Sequence, residues 1–126
     1  MTITTISTSQ DFNSKLFEKI LVGVFPNNDS ITLYITDDTS EFEFSEKIQI
    51  VDNVKLSNIV LVNSDDSKLE TYNKILFVTS YKDLKKYKNA IGALYWKKGR
   101  PQVIFLKKRL DNYNIEVAAY LRKYVE

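Results

Sequence analysis

Four carboxylates arrive as two adjacent pairs, Asp37-Asp38 at the end of one β-branched run and Asp65-Asp66 following another. Open α/β sheets place ligands beyond the carboxyl ends of their strands, and clustered carboxylates suit Mg²⁺ or Ca²⁺. The plainer account is that aspartate ends strands and opens turns well. Since no further ligand is indicated, that account is preferred and no metal site is expected. The chain has no histidine and no cysteine. Without histidine the usual general base near neutral pH is missing, and a Ser-His-Asp or Cys-His device cannot be assembled. Without cysteine, disulfides, thiol catalysis and zinc–thiolate sites are excluded. Gly23, Gly92 and Gly99 stand apart, so no glycine-rich phosphate loop opens a helix. No catalytic residue and no cofactor is expected.

A second set of residues could bind rather than react. Lys85-Lys86, Lys88, Lys97-Lys98, Arg100 and Lys107-Lys108-Arg109 are interleaved with Tyr81, Tyr87, Tyr95 and Trp96. Cations with aromatics hold single-stranded nucleic acid by charge and stacking, which makes a basic nucleic-acid-binding module the alternative reading. A net charge of only +2 argues instead for aromatics in the core and lysines on solvated faces. That charge hides an asymmetry. Residues 1–66 carry four lysines against eleven acids, and residues 67–126 carry fourteen lysines and arginines against five acids. The two halves can attract each other across the fold, or the second can present a basic face to an acidic partner. Trp96, the single tryptophan, adjoins Tyr95 and the basic run. Neighbouring strand residues face opposite sides, so both rings cannot enter one core. Both rings can still be buried if helices cover both sheet faces; otherwise one is exposed. An exposed aromatic beside arginine is typical of a binding hot spot, and Tyr95, Trp96, Lys97, Lys98 and Arg100 are the candidate partner-binding residues.

The elements that would position these residues follow from periodicity. Phe12, Leu16, Ile20 and Val24, widened by Phe17 and Leu21, mark a helix from Ser9, capped by Ser9 or Asp11 and ended by Pro26. Ile31 to Thr36 is a β-branched strand, while Ser40 to Ile50 is ambiguous between strand and helical turn. Asn58 to Val62 and Lys74 to Thr79 are continuous apolar runs, as in buried central strands, with room for a helical turn over Ser67 to Tyr72. Tyr81 to Tyr87 reads as a short lysine-rich helix. Ile91 to Trp96 and Gln102 to Leu106 are strands joined through Gly99 as an antiparallel hairpin. A final helix is expected from about Asn112, with Ile115, Ala118, Ala119, Leu121 and Val125 on its apolar face. The fold expected is a single Rossmann-like three-layer α/β domain, with a mixed central sheet and a C-terminal β-hairpin plus helix, spanning residues 1–126.

Three receiver-like features, an acidic pair after Leu33 to Thr36, a hydroxyl strand at Val78-Thr79-Ser80 and a lysine at Lys97, do not add up to a phosphorylation receiver. Asp65 follows Asp38 by only 27 positions, too few for the helix–strand–helix–strand segment needed there. No apolar run approaches the roughly 20 residues that span a bilayer, so no membrane insertion is expected. Met1 to Ile6 carries neither the basic nor the apolar part of a signal peptide. A cytoplasmic chain and a chain relieved of its leader are the alternatives.

The chain resembles the YfiR-like family of periplasmic regulators over roughly residues 12–125. The resemblance is carried by Asn58 to Ser64, Ile75 to Ser80, Ala90 to Tyr95, the turn Lys98-Gly99-Arg100, Val103 to Leu106, and the terminal Tyr120 to Tyr124. Phe25-Pro26 before the strand Ile31 to Ile35 matches the family's aromatic-proline helix end. The chain departs in lacking the family's cysteines, and in having Asn89-Ala90 where the family shows a glycine pair. The resemblance implies a Rossmann-like protein, often a homodimer, that binds and represses the periplasmic sensor domain of a membrane diguanylate cyclase. It carries no particular contact residues over to this chain.

Overall fold

The computed structural model describes residues 7–36, 42–63 and 73–126, with side chains from residue 13 onward. Helix α1 (Ser7–Val24) leads into β1 (Ile31–Ile35) and β2 (Ile48–Ile50), and a single 3₁₀ turn (Val54–Leu56) precedes β3 (Ile59–Val62). Then come β4 (Ile75–Val78), α2 (Tyr81–Lys86), β5 (Ala90–Lys97), β6 (Arg100–Phe105) and α3 (Lys107–Asn112), and a 3₁₀ segment (Ala119–Tyr124) closes the chain. The strands form one sheet in the order β2-β1-β3-β4-β5-β6, parallel throughout except for the antiparallel β5–β6 pair. The α/β class and the mixed central sheet therefore match expectation.

Apolar residues on both faces of the central strands require cover on both faces. On one face, α1 contributes Phe17, Ile20, Leu21 and Val24, and the C-terminal segment contributes Leu110, Val117 and Leu121, against Leu33, Ile59, Leu61, Phe77 and Phe105. On the other, Leu84 and Tyr87 from α2 and its exit pack on Val60, Val62, Leu76 and Val78. Phe42 and Phe44 lie in neither strand nor helix, although their alternation suggested one. Their rings stack at 5.5 Å, and Phe42 meets Phe17 edge-on at 5.4 Å. Two α1 side chains hold this segment. Ser14 Oγ accepts from the Glu43 N–H, and the Glu18 carboxylate accepts from Ser45 N–H and Oγ–H at 2.7 Å each. The expected helical turn over Ser67 to Tyr72 lies outside the described residues. Among the described residues no helix is long and apolar enough to cross a membrane.

The expected final helix is the main correction. Helix α3 ends at Asn112, where that helix was to begin, because Asn114 enters the left-handed region (φ 55°) and stops it. The chain then runs extended to Ala118 and tightens into the 3₁₀ segment. Leu121 is buried as expected and Ile115, Ala118 and Val125 are half-buried, but Ala119 is exposed and Val117, outside the expected face, is buried. Tertiary contact overrides helical periodicity here. The Ala118 N–H donates to Gly23 O at 2.8 Å, and Tyr120 Oη donates to Lys19 O at 2.6 Å. A Cβ on Gly23 would sit 2.4 Å from Leu121 Cδ1, so only glycine lets the segment approach α1 this closely. Burial raises the Tyr120 phenol above its usual pKa. Stability from the protonated phenol is therefore present through neutral pH and is lost only as pH climbs through the folded-state value. Tyr120→Phe is expected to cost about 1 kcal/mol in urea titrations at pH 7. The gap between variant and parent should narrow at strongly alkaline pH.

The β6 edge is guarded at both ends. The β5–β6 register makes residues 101, 103 and 105 point their backbone groups away from β5. Pro101 has no N–H to offer there, and Phe105 O is taken by the Glu126 N–H at 2.8 Å. Only Val103 presents a complete open unit, which blunts strand addition.

Candidate partner-binding hairpin

The residues singled out by sequence converge on one projecting element. Strand β4 ends at Val78, paired with Ala93, so Leu94–Lys97 continues beyond it with β6 as its paired strand. Four residues of overhang correspond to about 13 Å. Lys98 (φ 53°) and Gly99 (φ 79°) form the two-residue turn, and both positive φ values match the type I′ geometry that suits a twisted hairpin. The strands extend closer to the turn than expected, leaving only these two residues as the loop.

A register shift decides which way the two aromatic residues point. Leu76 pairs with Ala90 but Phe77 pairs with Gly92, so one extra residue sits in β5. Ile91 and Leu94, three apart, consequently belong to the same α1-side core. Beyond the bulge Tyr95 faces the α2 side, where it packs on the second core, and Trp96 faces the opposite side and is 48% exposed. The expectation that the two rings diverge holds, and Trp96 is the exposed one. Directly across from Trp96 lies Pro101.

Helix α2 supplies a residue that sequence reasoning did not place in this site. Ser80 Oγ accepts from the Asp83 N–H at 3.0 Å and caps the helix, setting Tyr81 at its first position. The Tyr81 ring meets Tyr95 at 6.1 Å and is 43% exposed, with Lys85 Nζ 4.9 Å from its centroid. No local pattern links positions 81 and 95, because their contact exists only through the β4–α2–β5 crossover. Lys97, Lys98 and Arg100 are all exposed at the hairpin end.

The remaining cations of the interleaved set lie elsewhere. Arg109 reaches from α3 to the start of β5, where Nη1 donates to Leu84 O, and to Tyr87 O and Ala90 O at 2.9 Å each. It caps the end of α2 and is structural. Lys107 pairs with Asp111 at 3.0 Å, and Lys86 covers the Tyr87 ring at 5.0 Å. Arg109 and Lys107 thus sit at the opposite end of β5 and β6 from Lys97, Lys98 and Arg100.

The crevice between β1 and β3, where the strand order reverses, is the other place an α/β sheet uses for ligands. Thr36 Oγ1 accepts from the Asn63 N–H there at 3.0 Å, and the Thr79 hydroxyl donates to Val62 O at 3.1 Å. These bonds tie neighbouring strand ends together. The pairs Asp37-Asp38 and Asp65-Asp66 lie outside the described residues. No protein family's sequence profile matches the chain, and no curated protein matches it, so the hairpin's own geometry carries the functional reading.

Proposed function

We propose that this domain is a non-catalytic regulatory protein that binds and represses a protein partner through the β5–β6 hairpin. The observation that carries the reading is the exposure of Trp96 on an overhanging, cation-tipped hairpin. Large aromatics beside arginine dominate binding energy when a partner desolvates them, and a rigid two-residue hairpin loses little entropy on docking. Binding one conformation of the partner would shift its population, which suffices for repression without turnover. The resemblance to YfiR-like regulators suggests the partner's nature, the periplasmic sensor domain of a membrane diguanylate cyclase, and with it a periplasmic setting and a homodimer. The alternative of a nucleic-acid module is less well supported. Tyr95 and Trp96 face opposite sides, so they offer successive bases no common stacking platform.

The test is calorimetry of the purified domain against the sensor domain of the cyclase encoded nearest its gene. Trp96→Ala should weaken the complex by about thirtyfold, the scale of a hot-spot truncation. Because the ring is half exposed, the melting temperature should move by no more than about 2 °C. Unchanged affinity in the folded variant would remove the hairpin from the binding surface.

A further inference from the structure

We infer that the hairpin recognises an extended acidic protein segment, gripped by Lys97 and Arg100 on the face that also carries Tyr95. The inference rests on the reading of the hairpin as the binding element and adds the chemistry of what it binds. Lys97 and Arg100 are direct cross-strand partners, and like charges in that position repel. Lys98 holds a left-handed backbone (φ 53°) at a turn position that favours asparagine or glycine. Among the described residues, none of these three side chains has an ion pair or hydrogen bond. Asp83 is the single acid on α2, β5, the turn and β6, against six lysines and arginines. Three cations in locally unfavourable places, without described counter-ions, are a conflict that an anionic ligand resolves.

The form of the ligand follows from spacing and face. Residues 97 and 100 flank the turn as a hydrogen-bonded pair, with Cα atoms about 5.5 Å apart. Carboxylates two residues apart on an extended chain are separated by about 6.7 Å, close enough for each long cation to take one. The Tyr81–Tyr95 pair, at 6.1 Å, lies on the same side of the sheet and offers that chain an apolar floor. Nucleic acid would need cations along a longer track than this short cluster provides.

The probe is an octapeptide of alternating glutamate and serine, titrated at low salt while following the fluorescence of Trp96, the sole tryptophan. Binding should be saturable, and Lys97→Glu with Arg100→Glu should weaken it at least about tenfold. A charge-matched control, Lys88→Glu with Lys108→Glu, should change it less than about twofold, since screening confines exposed charges to roughly 10 Å. Lys97→Glu alone should weaken binding yet raise the melting temperature by about 2 °C, because it replaces a repelling cross-strand pair by an attracting one. No saturable binding, or equal losses in the two double variants, overturns the inference. Tighter binding of a twelve-residue oligothymidylate, or of vesicles with three parts in ten phosphatidylglycerol, overturns it as well. The two levels separate cleanly. If the peptide fails but Trp96→Ala still weakens the partner complex, the acidic segment is wrong and the binding hairpin stands.

Discussion

Replacing Arg109 with methionine will destabilise the domain by about 2–3 kcal/mol, more than any other single exposed or half-buried cation. One guanidinium nitrogen serves the carbonyls of Leu84, Tyr87 and Ala90, which belong to the end of α2, its exit and the first residue of β5. Leu84 O is one of the groups a short helix leaves without a partner, Tyr87 O also accepts from the Ala90 N–H at 3.0 Å, and a cation at a helix C-terminus adds a favourable dipole interaction of about 0.3–1 kcal/mol. Methionine keeps much of the side-chain volume but returns the carbonyls of Leu84 and Ala90 to whatever water can reach them, while Tyr87 O keeps the Ala90 N–H. The loss corresponds to a melting temperature lower by roughly 10 °C, measurable by circular dichroism. Arg109→Lys should recover only part of it, since an ammonium retains the charge without the planar fork. A functional consequence follows from position. The same helix carries Tyr81 against Tyr95, so a frayed α2 should raise the solvent exposure of Tyr95 even where the sheet persists. A variant as stable as the parent would show that these carbonyls are satisfied without Arg109.

Gly92→Ala is expected to cost about 2–4 kcal/mol, the range for forcing atoms into a close-packed interior. A Cβ at this position would lie 2.6 Å from both Ile104 O and Phe105 Cδ1. The first of these is backbone within the β5–β6 ladder and cannot move aside without loosening the pair Ala93–Ile104. The second belongs to a ring that is 0% exposed and packed against Phe77 at 5.9 Å. Because Gly92 sits at the register shift, the alternative to strain is loss of the bulge, with the rest of β5 slipping by one residue against β4. That would exchange the directions of Tyr95 and Trp96. Chemical denaturation measures the cost, and tryptophan emission reports the direction. Emission shifted to the blue in the native state would mean that Trp96 has turned inward. Unaltered stability together with unaltered emission would contradict the close approach on which both expectations rest.

Much of the architecture was legible because the core runs are so regular. Ile59 to Val62 and Ile75 to Val78 are uninterrupted apolar stretches, and a strand buried on both faces needs such a stretch wherever it is found. The spacing of Leu16, Phe17, Ile20, Leu21 and Val24 specifies a helix with one buried side, and all are buried except Leu16, which is half-buried, while the Phe12 side chain lies outside the described residues. The hairpin followed from Gly99 between two strand-like runs. The candidate site was half legible. Trp96, Lys97, Lys98 and Arg100 are contiguous or nearly so, and a strand ending in a tight turn must display them together. Tyr81 was not, since its place beside Tyr95 depends on a crossover that no local signal encodes. Arg109 was misjudged for a related reason. In sequence it continues a basic run, and only the folded chain brings the carbonyls of Leu84, Tyr87 and Ala90 to its guanidinium.

The sequence by itself determined the α/β class, the positions of most strands, the absence of histidine and cysteine chemistry, and a hairpin bearing adjacent aromatics and cations. These depend on residue type and short-range period, which are written along the chain. Tertiary structure alone decided that the C-terminal apolar residues form a 3₁₀ segment against Gly23 rather than a helix, because a hydrogen bond and a close contact across nearly a hundred residues outweigh local periodicity. It decided, too, that Trp96 and not Tyr95 is the exposed ring. One extra residue at the β5 bulge sets that parity, and strand pairing, which joins distant segments, is what places the bulge.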